Sequence, residues 1–253
     1  MSERIGPRWL TWVILGYGLL EIPWVVYLVF FQARSGTADH THLVALGLYG
    51  GGAVVALWAA LANWRQSRLA AVSAVMAATW LAAGVFLAVV LSAVPVVWWG
   101  LPGAVIAAML ARRALHDQPV TPWLSAGLAA VSGVLLVHLT LILADTSTHI
   151  HADHLRLLVV LYDSCEVAAL LGLGWSLHRG APRAAIVFGS AGVVLFLLDA
   201  YVNVVVVPSG PAFTAALFYA IVGELPSIAM CTAGVVLGMR RWQPAAVTTG
   251  AKI

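Results

Sequence analysis

Long apolar runs recur along the whole chain, and they constrain the fold more than any other feature of the sequence. A helix needs roughly 20 apolar residues, rising about 1.5 Å each, to cross the hydrocarbon layer of a membrane. The chain is 62% hydrophobic and only 9% charged, whereas soluble domains carry about 25% charged residues. We therefore predict an all-α membrane protein. Its eight transmembrane helices are expected at residues 9–31, 41–62, 69–92, 95–111, 122–144, 154–177, 184–207 and 211–238.

The basic residues predict how these helices are oriented. The fourth run is short and contains Gly100-Leu101-Pro102-Gly103, so its assignment as a span depends on this charge pattern. With eight spans, one side of the membrane carries eleven basic residues, and only Arg34 and Arg156 lie on the other side. Cytoplasmic loops are rich in Lys and Arg. Both termini are therefore expected in the cytoplasm, in a multi-pass protein of the bacterial cytoplasmic (inner) membrane.

The two halves of the chain resemble each other. Thr37-Ala38-Asp39-His40 in the first external loop is similar to His151-Ala152-Asp153-His154 in the third, and Leu48-Tyr49 is similar to Leu161-Tyr162. We interpret residues 1–117 and 118–253 as two tandem four-helix repeats within one membrane bundle. Four spans per copy make both copies enter the membrane in the same direction.

Acidic side chains near the centres of spans are the candidate functional residues. A charged group at the bilayer centre costs roughly 2.5–3.5 kcal/mol. The sequence places no Lys or Arg near the centre of a span to neutralise them. Carboxyl groups buried together without a cation hold protons more tightly, so we expect some of this group to be protonated at neutral pH. The five acids are Glu21, Asp163, Glu166, Asp199 and Glu224.

The spacing of these acids places several of them beside other polar groups. Asp163 and Glu166 are three residues apart and share a helix face, and Asp199 and Asn203 are four residues apart on the next helix. Glu21 and Glu224 each precede a proline by two residues. Because proline removes one helical hydrogen bond, we expect a kink beside each acid. A structural cluster that holds helices together is the alternative interpretation.

Histidines in the predicted external loops raise the question of a metal. Imidazole together with carboxylate suits zinc or copper, but the neighbouring aspartates immediately precede spans, where Asp is a favoured helix N-cap. We predict no metal site and no cofactor, and keep metal handling as a third hypothesis. The histidines concerned are His40, His42, His149, His151 and His154.

From Tyr162 to Arg240 the chain resembles a group of uncharacterised actinobacterial polytopic membrane proteins. The similarity is carried by Asp163 and Glu166 in one helix, by Asp199-Ala200-Tyr201 and by Glu224-Leu225-Pro226. The chain departs from the group at Asn203, where a second aspartate is common. This resemblance implies no function.

A looser similarity, in length and in acid content, is to the integral-membrane terpenoid cyclases of meroterpenoid and indole-terpenoid pathways. It implies proton-initiated cyclisation of a prenyl chain, with a buried acid, Asp199 or Asp163, protonating an alkene or epoxide. The catalytic candidates are then the five acids. Aromatic faces would stabilise a carbocation. The substrate-binding candidates are Trp24, Trp80, Tyr162, Tyr201, Asn203 and Tyr219.

Other functions follow from the same residues. A proton-coupled transporter or channel is the main alternative, because repeats, proline-interrupted helices and central acids are also typical of transport. Eight spans in 253 residues are few for that task, so a homodimer would then be needed. The expected partners are the lipid bilayer and a lipophilic, prenylated small molecule. The sequence shows no basic stripe with interleaved aromatics, which argues against nucleic-acid binding.

Overall fold

The computed structural model describes residues 37–38, 46–65, 69–90, 94–116, 150–151, 155–207 and 210–242, together with scattered helical positions between 123 and 137. Helices dominate these residues. They are α1 (Gly52–Trp64), α2 (Ala70–Val90), α3 (Val94–Leu115), α4 (Leu155–Arg179), α5 (Pro182–Val206), α6 (Pro211–Tyr219) and α7 (Leu225–Arg241). A first π segment (Leu46–Gly51) leads into α1, and a second π segment (Ala220–Glu224) joins α6 to α7.

Four helical stretches within the described residues are long and apolar enough to cross a membrane. They are Ala70–Leu87, Val160–Arg179, Pro182–Val205 and Pro211–Arg241. The predicted helical character is therefore confirmed, and these four stretches are candidate membrane spans. The predicted first span, 9–31, lies outside the described residues, and most of 122–144 does too. The number of eight spans, the tandem repeat and the position of the termini stay predictions.

A short antiparallel pair connects the segments that precede α1 and α4. Strand β1 (Thr37–Ala38) pairs with strand β2 (Ile150–His151), and Thr37 lies opposite His151. These two segments belong to the loops that the sequence compares as repeat counterparts. The pairing places them at the same end of the bundle. His151 is the one external histidine that falls within the described residues; His40, His42, His149 and His154 lie outside them.

Helices α2 and α5 occupy the centre of the bundle. Helix α2 packs against α1, α3 and α5, and α5 also packs against α4 and α7. The buried face of α2 is largely alanine, including Ala71, Ala74 and Ala77. In lipid, where the hydrophobic effect does not drive helices together, small residues stabilise a bundle because they let backbones approach and pack closely.

Glycines let α5 and α7 come into direct backbone contact. A Cβ atom at Gly189 would lie 2.9 Å from the carbonyl oxygen of Cys231, and one at Gly238 would lie 2.9 Å from the carbonyl oxygen of Pro182. Neither oxygen can move without distorting its helix. Gly192 is similarly close to the Cys231 side chain. This contact fixes α7, and with it the second π segment, against α5.

We predict that Gly189→Ala destabilises the protein although alanine is intrinsically the better helix former by about 1 kcal/mol. The added methyl group must push the two backbones apart, which typically costs about 1–3 kcal/mol. The measurement is the thermal unfolding midpoint of the purified protein in detergent. Gly84→Ala in α2 is the matched control, because no described atom lies within 4 Å of its Cβ position. Equal midpoints for the two variants would contradict the assigned contact.

Candidate functional site

The second π segment places Glu224 in the middle of a helical stretch that runs from Pro211 to Arg241. The backbone N–H of Leu225 donates to the carbonyl of Ala220, five residues earlier, instead of the usual four. Proline at 226 has no N–H, and its ring would collide with the carbonyl of Val222 in a regular helix. The wider turn relieves that collision. Helical hydrogen bonding continues through this point and is widened at the acid, an irregularity often found at functional sites. The kink expected beside Glu224 stays a prediction.

Three acidic side chains from three different helical elements meet at this point. Glu166 comes from α4, Asp199 from α5 and Glu224 from the second π segment. One carboxyl oxygen of each lies within 4.8 Å of the others. Glu166 is only 5% exposed, and the other two are partly buried. We call these three residues the carboxyl cluster.

Neighbouring side chains orient Asp199 within the carboxyl cluster. One oxygen of its carboxyl group lies within 4.8 Å of an oxygen of Glu224, so the two groups repel each other strongly if both are ionised. The Asn203 side-chain amide donates to Asp199 Oδ2 at 2.7 Å, so the predicted pairing of these two residues is confirmed. An amide in this position holds the aspartate without adding a charge.

Tyr162 ties α4 to α5 beside the carboxyl cluster. Its ring is buried, and its hydroxyl donates to the carbonyl of Leu195 at 2.8 Å. Leu195 lies one helical turn before Asp199. The tyrosine is also within electrostatic range of Glu166, Asp199 and Glu224. It therefore borders the site, while its own proton is committed to the backbone.

The other aromatic candidates lie elsewhere. Tyr201 follows Asp199 by two residues and so projects from the other side of α5, where its ring lies against Gly47 of the first π segment. The Trp80 ring lies against Gly51 of the same segment, and its Nε1 donates to the Leu48 carbonyl at 3.2 Å. Both rings therefore pack against the first π segment.

Tyr219 is 54% exposed, and its ring contacts that of Phe218. Both residues line a shallow groove of about 560 Å³ along α6, together with Pro211, Thr214 and Ala215. The groove opens on the outside of the bundle, on a helix with no buried residue. Tyr219 therefore belongs to an outward surface.

One further predicted acid, besides the three of the carboxyl cluster, lies within the described residues. Asp163 is buried on α4, one turn before Glu166, but its carboxyl group is not among the three that converge. Glu21 lies outside the described residues, as does Trp24. The two cysteines are free thiols, Cys165 exposed and Cys231 buried.

Gly47 and Gly51 are not among the candidate residues predicted from the sequence. Both support aromatic rings from other helices. The run Gly47-Leu48-Tyr49-Gly50-Gly51-Gly52 contains four glycines. Because glycine lets another group approach the backbone closely, this run indicates a place where side chains from other helices can pack.

The carboxyl cluster can hold either a proton or a cation. The sequence from 157 to 178 and from 184 to 239 contains no Lys or Arg, so no basic side chain of α4–α7 lies at this depth. Three ionised carboxylates within 4.8 Å would repel one another strongly in a medium of low dielectric constant. Shared protons remove the repulsion. A hard cation taking one oxygen from each acid would also do so.

Comparison with protein-family models, with curated proteins and with solved structures gives no match. The chemistry of the site is therefore argued from its own residues.

We predict that the shared proton is visible in infrared spectra as the C=O stretching band of a protonated carboxyl group. Asp199→Asn should shift or remove the band contributed by Glu224, and Glu224→Gln should do the same to the band of Asp199, because the two carboxyl groups lie within 4.8 Å of each other. Asp163→Asn is the matched control, since it removes a buried acid of α4 that is not one of the three converging carboxyl groups. A spectrum unchanged by either cluster substitution would contradict the shared proton.

Proposed function

We propose that this protein is a membrane-embedded acid–base enzyme acting on a lipophilic substrate, and that the carboxyl cluster is its catalytic site. The observation that carries the proposal is the convergence of Glu166, Asp199 and Glu224 within 4.8 Å at a depth where α4–α7 supply no Lys or Arg. A carboxylic acid kept neutral in an apolar site is a proton donor. Its deprotonated neighbour is the corresponding acceptor.

The reaction class that uses both properties is proton-initiated cyclisation of a prenyl chain, as in the integral-membrane terpenoid cyclases that the chain resembles. The donor carboxyl protonates an alkene or epoxide and leaves a carbocation. A second alkene of the same chain supplies the electron pair for the new carbon–carbon bond. A proton then leaves the resulting cation to a carboxylate, so the product is an isomer of the substrate and the enzyme is restored.

We propose separate roles for the acids of the carboxyl cluster. Asp199, which accepts a hydrogen bond from Asn203, is the oriented proton donor. Glu166, the most buried of the three, is the proton acceptor, because burial penalises its charged form most. Tyr162, within electrostatic range of the three acids, offers an aromatic face to a developing cation. The substrate-binding roles expected of Trp80, Tyr201 and Tyr219 stay predictions.

We predict that wild-type protein, produced in cells fed prenylated aromatic and indole precursors, forms a product of unchanged mass and altered retention. Asp199→Asn and Glu224→Gln should each lower its yield by at least about 100-fold, the usual contribution of a general acid or base. The measurement is untargeted mass spectrometry of lipid extracts.

Cys165→Ala is the matched control for this experiment, because Cys165 is exposed on the same helix as Glu166 and should leave the yield unchanged. Protein levels of all variants are compared by immunoblot. A product that persists undiminished in both acid variants would exclude the carboxyl cluster as the catalytic site.

Proton-coupled transport is a second candidate, favoured by the position of Glu224. It lies near the midpoint of the Pro211–Arg241 stretch, in a widened turn, and transporters place coupling-ion sites near the midplane at helix irregularities. In this case no isomer forms. Instead, wild-type protein in liposomes with an internal pH dye should conduct protons, and Asp199→Asn should abolish the flux. Product without flux supports the enzyme, and flux without product supports the transporter.

A further inference from the structure

Asn203 holds one oxygen of Asp199 through its side-chain amide. The Nδ2 atom of Asn203 donates to Asp199 Oδ2 at 2.7 Å. The two residues are separated by one turn of α5, and the side chains of a helix lean toward its N-terminus. The amide of Asn203 therefore reaches back over the carboxyl group of the preceding turn. This bond is local to α5, so it forms whether or not a substrate is bound.

Contacts on two sides of α5 fix the direction in which this pair points. Tyr162 of α4 donates to the carbonyl of Leu195, one turn before Asp199, at 2.8 Å. From the other side of α5, the Tyr201 ring lies against Gly47. These contacts oppose rotation of α5 about its axis. They keep Asp199 in the carboxyl cluster, with one oxygen within 4.8 Å of those of the other two acids.

The amide distinguishes the two oxygens of Asp199 from each other. A neutral carboxyl group has a hydroxyl oxygen, which carries the proton and donates it, and a carbonyl oxygen, which accepts. The side-chain N–H of asparagine is a donor only, and the carbonyl oxygen is the better acceptor for it. Because Oδ2 accepts from Asn203, the proton of neutral Asp199 belongs on Oδ1.

We propose that Asn203 is a positioning residue of the catalytic site. It keeps the transferable proton of Asp199 on Oδ1, and it stabilises the carboxylate that forms when this proton leaves. The inference rests on the proposed function of the carboxyl cluster. It gives Asn203 a role that acts through Asp199, in place of the direct contact with substrate expected from the sequence.

The proton-transfer step shows why such a residue lowers the barrier. The Oδ1–H bond of Asp199 breaks, and the π electrons of the substrate alkene form the new C–H bond. The electron pair of the broken bond stays on Asp199 and spreads over both oxygens. The hydrogen bond from Asn203 to Oδ2 then becomes charge-assisted, and such bonds are roughly twice as strong as neutral ones. An interaction that strengthens as the reaction proceeds is the kind that accelerates it. The carbocation later returns a proton to the carboxyl cluster.

The first test is infrared spectroscopy of the full chain purified in detergent. The C=O stretching band of neutral Asp199 is identified by ¹³C labelling of aspartate side chains and by its loss in Asp199→Asn. A hydrogen bond to the carbonyl oxygen lowers the frequency of this band. Asn203→Leu, which removes the donor at similar volume, should therefore move the band to higher wavenumber. Asn203→Gln, which retains an amide, should move it less. Asn203→Ala gives the same reading if the leucine variant does not fold.

Ser190→Ala is the matched control, because it removes a fully buried polar side chain of the same helix at a distance of more than two turns from Asp199. It should leave the band in place. A purely structural role for Asn203 would lower the thermal unfolding midpoint without moving the band. An unmoved band in a folded Asn203→Leu or Asn203→Ala protein would overturn the inference, and so would the absence of any aspartate band that Asp199→Asn removes.

The second test measures the isomeric product in lipid extracts. Asn203→Leu should lower its yield by roughly 10- to 100-fold, the range expected for loss of a hydrogen bond to a charged group, and Asn203→Gln should recover part of it. Wild-type yield from Asn203→Leu would overturn the positioning role. A shifted infrared band in a protein that forms no isomer would refute the cyclisation and retain the assignment of the proton to Oδ1, so the two proposals fail separately.

Discussion

A carboxyl group within the hydrocarbon layer needs a partner, and in this chain the described partners are other carboxyl groups and amides. Helices α4 to α7 offer no basic side chain at the depth of Glu166, Asp199 and Glu224. The three acids therefore reduce one another's cost by sharing protons, with Asn203 as a neutral donor. A single ionised carboxyl group at the bilayer centre, without such neighbours, would cost roughly 2.5–3.5 kcal/mol. The packing of α4, α5 and the second π segment against one another depends on this neutralisation of the three acids.

Small residues make the meeting of the acids possible. Gly189 and Gly238 let the backbones of α5 and α7 touch, which brings the second π segment within reach of α5. Pro226 then determines the local geometry, because the wide turn it requires changes the angular position of Glu224 relative to the regular helix on either side. The close packing at the glycines therefore holds the acidic side chains together. A substitution that pushes α5 and α7 apart would also move Glu224 away from α5.

Much of the helical architecture could be predicted from the sequence, because apolar runs of membrane length are a direct consequence of bilayer thickness. The pairing of Asp199 with Asn203 follows equally from helical periodicity. The sequence could not show that Asp163 stays out of the carboxyl cluster, since that depends on how α4 is rotated against α5. The sequence also could not show that the rings of Trp80 and Tyr201 pack against Gly51 and Gly47. Contacts between helices that are far apart in the chain leave no periodic pattern in the sequence. The eight-span count remains a prediction from the charge pattern.

The basic residues of α4, α5 and α7 lie at the ends of these helices, away from the carboxyl cluster. The sequence from 157 to 178 and from 184 to 239 contains no Lys or Arg, so no guanidinium or ammonium group of these helices reaches the depth of the three acids. The acids must therefore be neutralised by protons or by a cation. Neutralisation by protons lowers the cost of burying them, and it also leaves a neutral carboxyl group in an apolar site, which is the state that a proton donor requires. The same physical constraint thus explains both the stability of the carboxyl cluster and the acid–base function proposed for it.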